Sequence, residues 1–258
     1  MTATPARRGI RPEPSPFRHA VVGQVTNLTP YMARVTLTGT QIADLRVEQP
    51  ASSVRLWVPG AGSRHLPEIQ WDGNRYRLPD GGSPIIRTFT PLNHDPAESL
   101  DLEVVLHDEG AITRWLEACE PGDPAAVSDP GRGYTIDREA DSYVLLGDES
   151  ALPAIKQLIG DLDTSTEIQV AVEVRSEEAI MSLPSHPRLD AVWAIRQSSA
   201  PVGAALLNAM DQISFRSGTK VWSAGEAGAM HSVRLRLFDE IGIDRKAVTV
   251  RGYWKHGR

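Results

Sequence analysis

A chain of 258 residues exceeds the usual single domain of about 100–200, so two domains are expected, and 41% hydrophobic content suffices for a core in each. The net charge of −6 excludes general nucleic-acid binding. The lone cysteine, Cys119, excludes an intrachain disulfide and any cysteine-ligated zinc or iron–sulfur centre built from this chain, and itself reads as a small buried hydrophobe.

No apolar run approaches the roughly 18 residues of a membrane span. Residues 1–16 are rich in Pro and Arg and lack an apolar signal core, so they read as a disordered tail and the chain as cytoplasmic. From Phe17 the pattern turns regular. Residues 21–25 read as a strand and 27–30 as a turn. Tyr31, Ala33, Val35 and Leu37 alternate with Met32, Arg34, Thr36 and Thr38, the period of a half-buried strand. Val54, Leu56 and Val58 alternate with Arg55 and Trp57, and residues 100–107 alternate likewise. Residues 125–128 could be one more short strand. Gly, Pro and Asp clusters punctuate these runs, which predicts a small antiparallel barrel over 17–138.

Within that region stands Arg87-Thr88-Phe89-Thr90-Pro91. On a strand, Arg87 and Phe89 share one face, and Thr88 and Thr90 the other. An arginine can clamp a phosphate in two-pronged fashion, a ring two residues on can lie against a flavin, and a threonine hydroxyl can bond the flavin edge. The plain alternative is a strand entering a turn at Pro91. A second departure from the β pattern is residues 108–118, where small residues lead into a short helical run. Such a start presents free N–H groups and a positive dipole end, an anion site beside Arg87; the alternative is a connecting helix capped by Thr113.

At Asp141 the character changes. Residues 143–147 are a compact apolar run, typical of a strand buried on both faces. A helix follows over 151–162, with Pro153 in its first turn. Strands at 167–174, 191–196, 220–224 and 247–253 alternate with helices at 203–210 and 226–241. This predicts a parallel α/β domain over 141–258, with ligands at the carboxyl ends of its strands. No G-x-G-x-x-G follows the first strand. The warrant there is a helix N-terminus at Ser150 pointing into the crevice.

A β-barrel followed by a parallel-sheet nucleotide-binding domain is similar to the ferredoxin reductase-like architecture, and the chain from about 17 to 257 resembles the siderophore-interacting proteins, flavin-dependent ferric siderophore reductases. Four stretches carry the resemblance: Arg87–Pro91; Val105-Leu106-His107 with Gly110 and Thr113-Arg114-Trp115; residues 146–155, the most distinctive; and Trp222-Ser223-Ala224-Gly225-Glu226 with Gly252-Tyr253-Trp254-Lys255. The family usually has tyrosine where Phe89 stands, often arginine where Leu92 stands, and more often threonine where Ser150 stands.

The resemblance implies an oxidoreductase. FAD would sit in the barrel, with Arg87 on its phosphates, Phe89 stacked on its rings, and Thr88 and Thr90 bonding the flavin. His107, Gly110, Ala111 and Thr113 would line the pyrophosphate and adenine side. The second domain would present NADPH or NADH, with a ferredoxin as the alternative donor. Asp148, Glu149, Ser150, Gly225 and Glu226 would lie at that cleft, although Glu149 and Glu226 read equally well as helix N-terminal charges. Arg175-Ser176 could meet a 2′-phosphate, with Arg196 as a second candidate, or be plain surface. Trp254 would cover the flavin or serve as a core or lid aromatic. Arg55, Arg132 and Lys255 would steer an anionic ferric siderophore, or be solvated cations. No acid–base pair is required. The competing readings are a general NAD(P)H–flavin oxidoreductase and a non-catalytic siderophore-binding module that has lost flavin.

Overall fold

The structure is a computed structural model and describes residues 14–95, 99–107 and 110–257. Most of the expected tail, together with Asp108 and Glu109 of the 108–118 run, lies outside the described residues.

Alternating apolar residues build the first unit. Its strands are β1 (Arg18–Thr29), β2 (Met32–Thr38), β3 (Val54–Val58), β4 (Gln70–Trp71), β5 (Tyr76–Arg77), β6 (Ile85–Phe89), β7 (Pro91–Asp95), β8 (Ser99–Val105) and β9 (Pro124–Val127), with helix α1 (Ala111–Ala118) before the last. Seven of them form one antiparallel sheet in the order β6-β3-β9-β1-β2-β8-β7, while β4 and β5 pair apart as a hairpin. The outermost strands, β6 and β7, follow one another with only Thr90 between them. The two edges of the sheet are therefore tied together, and the sheet curls around Val35, Leu37, Leu56, Leu100, Leu102 and Val127. The turn expected over 27–30 is instead later: β1 runs on to Thr29, because a register shift between Asn27 and Thr29 lets the ladder with β2 continue.

The second unit contains β10 (Ser142–Asp148), α2 (Leu152–Asp161), β11 (Glu167–Val174), β12 (Leu189–Ile195), α3 (Ala204–Ala209), β13 (Lys220–Glu226), α4 (Ala227–Leu235) and β14 (Val248–Trp254). Its five strands are all parallel, in the order β12-β11-β10-β13-β14. Strand order reverses between β10 and β13, which places a crevice at their carboxyl ends. The helix expected over 226–241 is α4 for its first part only. Residues 236–240 form a π-helical turn, closed by the Ile241 N–H on the Arg236 carbonyl.

The two units are stitched by polar contacts. Arg251 donates to the carbonyls of Ala51 (2.9 Å) and Gly133 (2.6 Å). Gln157 donates to the Pro91 carbonyl (2.6 Å) and accepts from the Ala51 N–H (2.9 Å). Glu103, with a fully buried side chain, is held by Arg34 at 2.7 Å and by Lys156 of α2 at 3.0 Å. A carboxylate removed from water needs such partners, so this pair of cations fixes β2, β8 and α2 together.

Candidate flavin and nucleotide site

The β3–β6 ladder pairs Val54 with Phe89, Leu56 with Arg87 and Arg55 with Thr88. Paired residues share a face, so Arg87 and Phe89 lie on one side, as their spacing predicts, and Thr88 joins Arg55 on the other. Phe89 is half-buried and packs against the barrel core. Arg87 is exposed, and the hydrogen bond it makes among the described residues is from Nη1 to the Ile86 carbonyl (2.9 Å). Among the described residues the rest of its fork has no partner. Thr90 is buried, and its hydroxyl lies beside that of Tyr253 in β14. Burial pushes the Tyr253 phenol above its ordinary range. The flavin strand thus meets the second unit at two hydroxyls.

Helix α1 begins after Gly110, with no side-chain cap on its first turn. Thr113 does not cap it: it lies within the helix, and its Oγ1 accepts the His107 N–H at 3.2 Å. A Cβ on Gly110 would stand 2.8 Å from the His107 ring and from Thr113 Oγ1, so a larger residue there would have to displace both side chains. Uncapped first-turn N–H groups at the positive end of a dipole suit a phosphate. An exposed arginine, a half-buried ring and a close turn before an uncapped helix fit FAD.

At the crevice the structure differs from expectation. The helix N-terminus at Ser150 is not free: Asp148 Oδ1 accepts both the Ser150 N–H (2.9 Å) and its Oγ–H (2.5 Å). Asp148 Oδ2 accepts the Glu226 N–H and the Trp254 indole N–H, each at 2.8 Å. One carboxylate therefore gathers the ends of β10, β13 and β14. Burial pushes its pKa up, against the four hydrogen bonds that favour the ionised form. Gly225 has φ +156°, and a Cβ there would sit 2.6 Å from Asp148 Oδ2. Glu226 caps α4 by accepting the Ala229 N–H (2.8 Å) and also accepts the His256 N–H (3.2 Å). Burial works to raise the Glu226 pKa, but the Ala229, His256 and Gly228 N–H groups together bring it below the ordinary value.

Arg175 is engaged elsewhere than at an open cleft. Its guanidinium grips Glu149 (2.9 Å), donates to the Leu106 carbonyl (3.1 Å) and lies 4.9 Å from the Tyr31 ring centroid. Arg196 leans on Glu173, whose carboxylate accepts the Gly203, Ala205 and Leu206 N–H groups. Arg175 has every guanidinium nitrogen engaged, whereas Arg196 is held through Nε and Nη1, each at 3.4 Å. Beside Arg175, Ser176 Oγ is buried and has no hydrogen-bond partner among the described residues. An orphaned hydroxyl at the end of β11 fits a polar ligand that completes it.

Residues 21–134 match the siderophore-interacting FAD-binding domain, and residues 140–257 match the siderophore-interacting protein family. The chain belongs to the siderophore-interacting proteins. Its cofactor is FAD, and its two units share their fold with the FAD/NAD binding domain of a nitric oxide dioxygenase from Vibrio cholerae, at a TM-score of 0.65 and 13% identity. The structure of a siderophore utilization protein from T. fusca superposes with a TM-score of 0.80 at 34% identity, over 94% of each chain. Ferric vibriobactin reductase ViuB of Vibrio cholerae serotype O1 is 28% identical over 88% of this chain and 85% of its own. The mycobactin import ATP-binding/permease protein IrtA of Mycolicibacterium smegmatis is 29% identical over 93% of this chain but only 26% of its own length. The chain thus spans about a quarter of the length of that relative. Among the described residues no helix is long and apolar enough to cross a membrane.

In this siderophore-interacting protein the three basic residues sit on neighbouring segments. Arg55 in β3 is half-buried, with its guanidinium carbon 5.6 Å from the ring centroids of both Phe17 and Tyr76. Arg132 is exposed in the loop after β9, where the Gly131 N–H bonds the Ser53 carbonyl (2.6 Å). Lys255 is exposed directly after β14, whose Arg251 holds Gly133. Sequence reasoning missed two features. One is Tyr253, hidden because its neighbour Thr90 lies far away in the chain. The other is the β4–β5 hairpin. Its signal was present: Asp72-Gly73 between Trp71 and Tyr76 is a turn pair flanked by aromatics, and Asp72 Oδ1 accepts the Asn74 and Arg75 N–H groups (2.9 Å each).

Proposed function

We propose that this chain is an FAD-dependent ferric siderophore reductase fed by NAD(P)H in the cytoplasm, which frees iron from its chelator as Fe(II). The observation that carries the reading is the exposed Arg87 guanidinium beside half-buried Phe89, on the strand that ties the edges of the barrel. The family membership and the likeness to ViuB support it.

Arg87, with the α1 start at Gly110, Ala111 and Thr113 and the neighbouring His107, holds the FAD diphosphate and adenine side. Phe89 offers a ring face to the flavin, Thr88 offers a hydroxyl, and Thr90 lies beside Tyr253. The bound flavin supplies the conversion of a two-electron hydride into single electrons that Fe(III) can accept. Asp148, Glu149, Ser150, Ser176, Gly225 and Glu226 shape the donor cleft, and Trp254 lies over its mouth. Arg175 braces Glu149 and does not select for NADPH. Arg55, Arg132 and Lys255 draw in an anionic ferric chelate. Fe(II), with its lower charge density, is held more weakly by hard oxygen ligands and leaves.

The test is spectral. The purified protein should be yellow, absorb near about 450 nm as bound flavin does, and bleach on addition of NAD(P)H. Ferric siderophore should restore the colour faster than free flavin or quinone does. Protein that rejects FAD, or whose flavin is reoxidised equally by all acceptors, would overturn the reading. Reduction by ferredoxin alone would replace the donor and leave the acceptor chemistry standing.

A further inference from the structure

A cavity of about 600 Å³ opens on the outer wall of the barrel rather than in the crevice. Its lining includes Arg55, Arg75, Trp71, Tyr76, Ile86 and Pro84. Three observations define what would fill it. Arg55 has no carboxylate within ion-pair distance among the described residues, and its guanidinium faces the Phe17 and Tyr76 rings instead. Arg75 reaches Asp72 only at 3.8 Å and keeps 58% of its side chain exposed. Trp71 and Tyr76 stand edge to face, with centroids 5.2 Å apart. The wall is thus aromatic and its charge is positive, a combination that recognises a flat anion.

The location is as informative as the lining. Arg55 is paired across the ladder with Thr88 of the flavin strand, so a group in this cavity lies next to the strand that holds the cofactor.

The geometry points to a chelate-recognition subsite: the β4–β5 hairpin and Arg55 bind one planar anionic aryl arm of the iron chelate, and Trp71 and Arg75 select aryl chelators over hydroxamates. This rests on the proposed reductase reading, but its test is made separable by a redox-inert metal.

Gallium(III) complexes bind without being reduced. Full-length FAD-loaded protein is titrated calorimetrically with the gallium(III) complex of 2,3-dihydroxybenzoate and with that of the hydroxamate desferrioxamine B. The aryl complex should bind at least about tenfold more tightly, a gap of roughly 1.4 kcal/mol. Trp71→Ala and Arg75→Ala should each weaken the aryl complex by about fivefold or more and leave the hydroxamate unchanged, with Trp71→Phe restoring affinity. Equal affinity for the two complexes, or aryl binding indifferent to both alanine variants while their FAD content is normal, overturns the subsite. If the ferric aryl complex is reduced while gallium binding ignores the hairpin, the subsite fails and the reductase reading stands. If gallium binding behaves as stated but no ferric complex reoxidises the flavin, the reductase reading fails and the subsite stands.

Discussion

The indole N–H of Trp254 donates to Asp148 Oδ2 at 2.8 Å, tying the end of the last strand of the parallel sheet to the end of its first. The same oxygen receives the Glu226 N–H, and its twin receives two donors from Ser150. An ionised carboxylate can accept all four. An amide cannot, because its NH₂ must face two donors. Asp148→Asn should therefore cost about 1–3 kcal/mol in urea unfolding and change the near-ultraviolet signal of Trp254, whereas Trp254→Phe, which removes one donor, should cost about 1 kcal/mol or less. Equal losses in the two variants would show that Asp148 does not act as a hub.

The Glu226 cap predicts a pH dependence of definite sign. Its folded pKa lies below the ordinary 4.5, so its contribution is fully present above that value and is lost as pH falls through the lower folded value. The stability difference between wild type and Glu226→Gln should be constant at neutral pH and shrink in more acid buffer. Asp148 works in the opposite sense: with its folded pKa raised, its ionised form weakens the fold as pH rises through that value. The two are separated by comparing each single variant with wild type across the same series of unfolding curves.

Arg87→Ala should weaken FAD binding about 10- to 100-fold, the range expected for losing charge-assisted hydrogen bonds worth roughly 1.5–3 kcal/mol. Arg87→Lys should recover part of this, since a point charge replaces a planar fork. Fluorescence titration of apoprotein with FAD reads both. Because Arg87 is exposed and its protein hydrogen bond is to the adjacent Ile86 carbonyl, apoprotein stability should hardly move.

Arg175 and Glu149 form a pair at the junction of the two units. Either alanine variant leaves the other charge partly buried, so each should destabilise by about 1–3 kcal/mol, and the double variant should cost less than the sum. The ratio of NADPH to NADH rates should stay the same in Arg175→Ala. A selective loss of NADPH activity would reassign this arginine to the 2′-phosphate.

Legibility in the sequence followed the range of the interactions. The strands over 54–58, 100–105 and 167–174 were visible because alternation or continuous apolarity is written locally in the side chains. The shared face of Arg87 and Phe89 needed only a period of two. The fate of Thr90 did not follow from that period, because its hydroxyl lies beside that of Tyr253, more than 160 residues away. The Ser150 helix start was read as open because nothing in Asp148 itself declares that its carboxylate will turn back on Ser150 while reaching Glu226 and Trp254. Arg175 looked like surface or ligand contact from its position at a strand end, yet the carboxylate that claims it is 26 residues earlier, at the end of the neighbouring strand.

Arg251 clasps the carbonyls of Ala51 and Gly133, partners separated from it by 200 and 118 residues. Those carbonyls belong to the segments that lead into Arg55 and surround Arg132. The outline of the segments around Arg55 and Arg132 is therefore set from the fifth strand of the other sheet. On refolding, these two segments would therefore settle only once both units are in place.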